Sequence, residues 1–548
     1  MNTIELVRPR RHAASGGTRA SHLALVVALG LACLLAGSFA RGGVEPWNEP
    51  AFASDAGALY RAASALPVED GHDALIVLEE GKYEFDAEGR ATYTHRMIYR
   101  VLTAVGVEGW SSVTGNWEPW QQERPVIRAR VVTPSGSVHW LDAATLAESG
   151  TDGGEPNVFT DRRRLSGPLP AIEPGAVVEE ETVVRATQPF FTGGVVHRFY
   201  FGARVPTHSS RLTIELPASQ PLRHVLHLLP GVEPRRTEAK GRVRTVFESG
   251  PLAPVEDVEK LAPPEVPRWP AVAFSTGRSW QEVAARYHAM IEKQIAGANV
   301  SSLVGDAQKK ARFEAVAALV ANLHKEIRYT GVEYGEASIV PRTPAETLER
   351  KYGDCKDKAA LLIAMLRAAG LPAYLALLDT GEYERTEVAL PGLGAFNHAI
   401  VYAPGTPDLW IDATSEFTRV GQLPIGDQGR LALVIRPQTT ELMRTPESTS
   451  ADNRALETRE FFLSEFGAAR VVETTEVTGA IEDGYRSYYG DLEAKEAREQ
   501  FETYAKSAYV AESLKGYQQT GGRDFSSPFR LRLEIEKAQR GSTGQVDA

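Results

Sequence analysis

Cys355 is one of only two cysteines in 548 residues, and its surroundings suit chemistry. It stands in residues 351–370, KYGDCKDKAALLIAMLRAAG. Gly353 breaks what precedes, Asp354 is a good N-cap, and Asp357 can reach back in the manner of a capping box. Cys355 then opens a helix whose buried stripe is Leu362, Met365, Leu366 and Ala369, with Gly370 closing it. A thiol at the positive end of a helix dipole, beside Lys356 and Lys358, is favoured as the thiolate. The thiolate is the nucleophile in covalent catalysis, and it needs a base with an orienting group. Residues 395–414, AFNHAIVYAPGTPDLWIDAT, supply both candidates, His398 on one strand and Asp412 on the next. A turn centred on Gly405 sets His398 directly opposite Asp412, on one face, with Cβ atoms about 5 Å apart. That face also carries Phe396, Ile400, Trp410 and Thr414, so the polar pair needs mutual satisfaction.

Plainer readings stand beside this one. A lone Cys is most often a small buried hydrophobe. A lone strand His is most often a hydrogen-bonded structural residue. One Cys, one His and one Asp lack zinc-site spacing, and HExxH, CxxC and EF-hand loops are absent from the sequence, so neither metal nor cofactor is expected. GxSxG and GxxxxGK are absent too, which removes a serine-hydrolase elbow and a phosphate loop.

The elements that must position these residues divide the chain. Residues 41–250 read as a β-rich domain, an antiparallel sandwich or barrel. Within it, KYEFDAEGRATYTHRMIYRVLT alternates around residues 86–89, and VIRARVVTPSGSVHWLD around Pro134, Ser135 and Gly136. Trp110, Trp117, Trp120, Phe190, Phe191 and Phe201 either pack its core or line a binding face. Residues 251–270 form a proline-rich linker. Residues 271–440 read as α+β, helices first and an antiparallel sheet after. Ser279 with Glu282 caps a helix striped by Trp280, Val283, Tyr287 and Ile291. Asp306 caps the next, striped by Phe313, Val316, Leu319, Val320 and Leu323. Residues 450–548 read as a small α+β domain with a helix over 492–514, and a sequence that stops just after the last strand reads as an incomplete one.

The formal charge of −11 leaves no basic footprint for nucleic acid. Residues 1–40 read as a secretory signal. Arg8, Arg10, Arg11 and Arg19 precede the apolar run LALVVALGLACLLAG, and small residues lead to Ala40. A retained anchor, and with it membrane association, is the rival reading. Cleavage removes Cys33 and leaves Cys355 as the lone thiol of an exported, periplasmic or cell-envelope protein.

The string RYTGVEYGEASIVPRTPAETLERKYGDCKDKAALLIAMLRAAGLPA, followed by FNHAIV and WIDAT, resembles the bacterial transglutaminase-like superfamily. The likeness runs from about Ser275 to Arg436, under a third of the chain. It implies a papain-like fold for the central domain. It implies Cys355 as nucleophile, His398 as general base and acid, and Asp412 as the residue that orients the imidazole. The backbone N–H of Cys355 is a candidate oxyanion donor, and Tyr329 or Tyr334 a candidate second one. The implied activity is acyl transfer from a peptide or glutamine-type amide through a thioester. Hydrolysis by a peptidase or amidase leads. Protein cross-linking, or a non-catalytic scaffold whose β domain recruits protein or glycan, are the alternatives.

Overall fold

A computed structural model describes residues 45–151, 157–256, 262–263, 266–381, 386–490 and 492–544. The expected signal, with Cys33, lies outside them, as do residues 257–261, 264 and 265 of the expected linker. Among the described residues no helix is long and apolar enough to cross a membrane.

Alternation is clearest at the edge of the β-rich part, and the strands at its centre are more fully buried. Ser112–Trp117 buries every second residue, and Ala91–Val101 pairs along its length with Val177–Arg185. The main sheet has eight strands. Its centre is Ser210–Pro217, Ala74–Phe85, Ala91–Val101, Val177–Arg185 and Val126–Val132, in that order. Two three-stranded sheets cover it. Val113, Trp117 and Leu165 of one share a core with Tyr99, Ile127 and Val178 of the large sheet. Phe199 and Phe274 of the other share a core with Phe85, Leu212 and Phe247. The architecture is sandwich-like, with a departure from the antiparallel expectation inside the main sheet. Ala74–Phe85 and Ser210–Pro217 run parallel, which the long connection between them permits.

A buried charge cluster ties the β-rich part to the start of the described chain. Glu179 is fully buried and takes Arg96 Nη2 and Arg130 Nη2, each at 2.6 Å. Arg96 Nη1 also donates to the Glu49 carbonyl at 2.8 Å. Glu179→Ala strands two buried guanidiniums, so an unfolding free energy lower by about 3–5 kcal/mol is expected. Urea titration checks this, and an unchanged midpoint contradicts it.

The central part joins this sandwich without a gap in packing. Ala271–Ser275, placed by sequence in the helical domain, is the middle strand between Val196–Tyr200 and Arg223–His227. Leu252 also bridges to Thr207, so the start of the linker lies on the β-rich part. Helices Trp280–Ile295 and Arg312–Glu326 then surround Cys355–Ala368. That last helix buries every residue from Cys355 to Leu366, so it is a central helix rather than the one-striped surface helix expected. Behind it lies a five-stranded antiparallel sheet, ordered Leu409–Ile411, His398–Ala403, Tyr374–Leu378, Leu431–Val434, Met443–Arg444. Ser279 caps its helix through Glu282 N as expected. Asp306 makes no side-chain cap, the next helix starts only after Ala311, and Phe313 is exposed outside its buried stripe.

The C-terminal part is a four-stranded antiparallel sheet with helices Ile481–Gly490 and Ala494–Tyr509 packed on it. The second helix stops well short of residue 514. Val510 takes a left-handed φ of 50°, and Ala511–Gln519 becomes a strand paired with Phe529–Thr543. Sheet pairing there outweighs helix propensity. This part is latched to the segment just after Asp412. Arg419 Nη2 meets Glu482 at 2.9 Å, and Asp483 Oδ1 accepts from Ser415 Oγ at 3.1 Å and Thr418 Oγ1 at 2.9 Å.

Candidate active site

Cys355 is the first residue of its helix, as the sequence implies, and Asp354 is the N-cap, accepting from Asp357 N at 3.0 Å. Gly353 is required by close packing, because a Cβ there would stand 2.7 Å from Asp357 Cβ. The Asp357 carboxylate does not close a capping box. It turns instead to Arg342, accepting from its backbone N at 2.7 Å. The two lysines are not free charges. Lys356 Nζ is paired with Asp354 at 2.6 Å and Glu333 at 3.1 Å. Lys358 is fully buried and donates to the Ile327 carbonyl at 3.0 Å. Burial pushes its ammonium down to about 8.

The hairpin holds the other two groups. Its register pairs Val401 with Ile411, Tyr402 with Trp410 and Ala403 with Leu409, so the turn is centred on Thr406 and not on Gly405. Asp408 fixes this longer loop, accepting from Gly405 N and Tyr402 Oη, each at 2.8 Å. Asp412 therefore lies diagonal to His398, not directly opposite. A shift of two positions preserves the face. The pair still meets, with His398 Nε2 at 3.3 Å from Asp412 Oδ2. Asp412 Oδ1 accepts from Thr414 N and Oγ1, each at 2.7 Å. Nε2 is thus committed to Asp412, and Nδ1 is the nitrogen left for the sulfur.

Electrostatics follow from this arrangement. Burial alone would lower the His398 pKa, but Asp412 and the Cys355 sulfur acting on the same ring hold it well above the usual histidine value. Burial would raise the Asp412 carboxyl, but the His398 charge and the Thr414 hydrogen bonds hold it at about 2. Such a trio can keep a sulfur nucleophile beside a proton donor whose tautomer is fixed.

Cys355 and His398 open onto a cleft of about 980 Å³ with two unlike walls. The central part supplies Tyr329, Phe396 and Leu393, and the β-rich part supplies Tyr93, Trp117 and Arg164. The walls are stitched together beside the site. Gly331–Glu333 runs parallel to Val158–Thr160, and Gly335 N donates to Asp161 at 2.8 Å. Tyr329 lines the cleft, whereas Tyr334 is 54% exposed and does not line it. Of the six flagged aromatics, Trp117 and Phe190 line the cleft, and Phe201 is core. Sequence reasoning missed the role of this second wall and also missed Asp427, a buried carboxyl beside the hairpin. His398, Asp412 and Asp427 each offer a ligand atom within 4.8 Å of the others, a spacing that could hold a cation.

A cysteine at the mouth of a central helix, with a strand-borne His–Asp pair, is the arrangement expected of a transglutaminase-like core. The matches to known families agree with that class. Residues 300–409 match the model of the transglutaminase-like superfamily, and residues 87–256 match a domain of unknown function, DUF3857. The chain carries a transglutaminase-like core behind a DUF3857 domain.

No curated protein matches it. Among solved structures, a protein of Parabacteroides distasonis described as a candidate protease superposes with a TM-score of 0.54 at 12% identity, covering 87% of this chain and 95% of that one. The likeness is one of fold. A Cytophaga hutchinsonii protein described as a candidate cysteine protease gives a TM-score of 0.18 at 10% identity, over 59% of this chain and 83% of that one. An M1 zinc metallopeptidase of Deinococcus radiodurans gives 0.21 at 11% identity, over 39% of this chain and 44% of that one.

Proposed function

We propose that this chain is an exported, cysteine-dependent acyl-transfer enzyme that cleaves peptide or glutamine-type amide bonds, acting as a peptidase or amidase. The observation that carries the reading is the His398–Asp412 contact at 3.3 Å with Cys355 acting on the same ring, at the floor of an open cleft. Cys355 Sγ attacks the amide carbonyl, and the carbonyl π pair moves to oxygen. His398 gives its proton to the leaving amine as the C–N bond breaks, leaving a thioester. Water then attacks the thioester. His398 takes a proton from that water, the C–S bond breaks, and the thiolate–imidazolium pair is restored.

Protein or peptide is the substrate class that suits the cleft. Its walls are long, mixed in polarity, and contributed by two parts of the chain, as an extended polypeptide would need. The DUF3857 wall is then the part that selects substrate. An amine acceptor in place of water would give cross-linking instead, and the same thioester serves both outcomes. Export to the periplasm or cell envelope rests on the arginine-flanked apolar run of residues 1–40.

The test is a peptide-library digestion run beside incorporation of a fluorescent primary amine into casein. New peptide termini or ammonia release without amine incorporation are expected. Amine incorporation without hydrolysis would assign cross-linking. Neither product from folded protein would favour the binding-scaffold reading.

A further inference from the structure

The cleft that holds Cys355 and His398 also takes in one face of the large sheet. There Tyr83 pairs directly with Tyr93, and Phe85 with Ala91. Opposed residues of an antiparallel pair share a face, so these four side chains stand together. Alternation sends Lys82 and Glu84 of the same strand to the other face, where they meet at 3.0 Å. The small sheet that holds Val196–Tyr200 covers part of the aromatic face. The His197 ring lies 4.9 Å from the Tyr83 ring, and the Tyr93 ring lies 4.4 Å from it. The rest of this face opens to the cleft. Ala91 and Ala186 line it and are joined by a backbone hydrogen bond of 2.9 Å. Two such small side chains side by side leave room next to the Tyr93 ring.

The pocket is aromatic, yet its polar tips are unused. Tyr83 is 9% exposed, and its hydroxyl has no hydrogen-bond partner among the described residues. Neither has the Tyr93 hydroxyl or the His197 imidazole. Buried polar groups are normally paired, so three unpaired ones on a cleft wall suit a ligand that pairs them. Burial holds His197 neutral down to about 4, which leaves it one donor and one acceptor. Glu79, farther along the same face, meets His95 at 3.5 Å and does not line the cleft. A charged substrate side chain would therefore lose water here and gain no counter-charge. A small aliphatic one would leave the polar tips unpaired. A sugar carries hydroxyls around its whole rim, and Phe85, Ala91 and Ala186 would strip their water without replacing it.

We propose that this pocket is a substrate subsite for an aromatic side chain with a polar tip, tyrosine above all, with its ring against Tyr93 and its hydroxyl bonded by Tyr83 and His197. This rests on Cys355 and His398 being the working pair of a peptide-cleaving site. The pocket is tied to the catalytic strand. Val196 N donates to the Leu393 carbonyl at 2.7 Å, and Leu393 N to the Gly194 carbonyl at 3.0 Å. Leu393 opens the segment that leads into His398–Ala403. Gly394 in that segment has a φ of 98°, and a Cβ there would stand 2.8 Å from the Val196 carbonyl oxygen. His197 is thus held in place relative to His398, and a side chain bound beside it sets the register of the peptide over Cys355.

Two readouts separate the subsite from the chemistry. The first is binding of blocked amino-acid amides to the full chain carrying Cys355→Ser, followed by saturation-transfer NMR. N-acetyl-tyrosinamide is expected to bind roughly tenfold tighter than N-acetyl-alaninamide or N-acetyl-lysinamide. Tyr83→Phe removes one hydroxyl and keeps the ring. It is expected to weaken the tyrosine amide roughly threefold to tenfold and to leave N-acetyl-phenylalaninamide unchanged. Tyr93→Leu is expected to weaken both aromatic amides. The second readout is digestion of casein by the native protein, with the new termini mapped by mass spectrometry. Tyrosine is expected at one fixed position from the cleaved bond, and Tyr93→Leu should lose that preference. Equal binding of the tyrosine and alanine amides overturns the proposal, and this contrast needs no pocket variant to fold. So does tyrosine-amide binding that is unchanged in folded Tyr83→Phe, or methyl glucoside bound as tightly as the tyrosine amide. If the tyrosine amide binds as expected but casein stays intact, the peptidase reading fails and the pocket stands. If casein is cut with no preference and the amides bind alike, the subsite alone fails.

Discussion

Cys355→Ser is expected to abolish turnover of any peptide or amide that the native protein cleaves, by roughly 10^3-fold or more, with the fold intact. Sulfur reaches its anionic, nucleophilic form near neutral pH, and a serine hydroxyl does not. The substitution is sterically mild. Cys355 is 8% exposed at the start of a helix capped by Asp354, and a hydroxyl fits where the thiol sat. Circular dichroism should superpose, and a trapped acyl-enzyme should be missing by intact mass. A serine variant that accumulates the acyl-enzyme as the native protein does would remove Cys355 from the mechanism.

The second large effect is at Asp412. Asp412→Asn replaces a carboxylate that accepts from His398 Nε2 with an amide that can offer N–H to it. The ring then turns to the wrong tautomer, and the imidazolium loses its counter-charge. kcat is expected to fall roughly 10^3–10^4-fold, the scale seen when a triad carboxylate is neutralised. KM should stay near native, since Asp412 sits behind the ring and outside the cleft lining. A pH effect follows with a definite sign. Asp412 is depressed to about 2, below its ordinary 3.8, so its charge stabilises the fold above that ordinary value and the contribution is lost as pH falls toward 2. Asp412→Asn should therefore flatten part of the native acid-unfolding curve. Steady-state kinetics and acid titration check the two effects. A kcat within a few-fold of native would contradict the orienting role.

The nucleophile helix and the His–Asp hairpin were legible because they are local. Asp354 caps by a rule that spans three residues, and the hairpin's parity survives an error in its register. Gly405 misled on that register because the loop is held by Asp408, three residues past the apparent turn centre. Longer-range features were not legible. Alternation showed that residues 74–101 are strands but not that one pairs in parallel with Ser210–Pro217, more than a hundred residues on. The burial of Lys356 and Lys358 was hidden because their partners, Glu333 and the Ile327 carbonyl, come from a preceding segment. The cleft's second wall depends on docking Val158–Thr160 beside Gly331–Glu333, and two short strands leave no periodicity to read. Trp117 and Phe190 carried a hint of it, as aromatics in a part of the chain with no chemistry of its own. Asp427 had no signal at all, being an acid in a turn, where acids are ordinary.

The central claim is that Cys355 and His398 act as one unit, and alkylation of Cys355 tests it without any substrate. Native protein and His398→Ala would be treated with iodoacetamide across the pH range, and the modified thiol counted by mass spectrometry. The account predicts fast labelling of native protein near neutral pH, slowed about tenfold or more in His398→Ala, with the two converging in alkali where any thiol ionises. Equal rates in both proteins at every pH, or a Cys355 that never reacts in the folded chain, would contradict it.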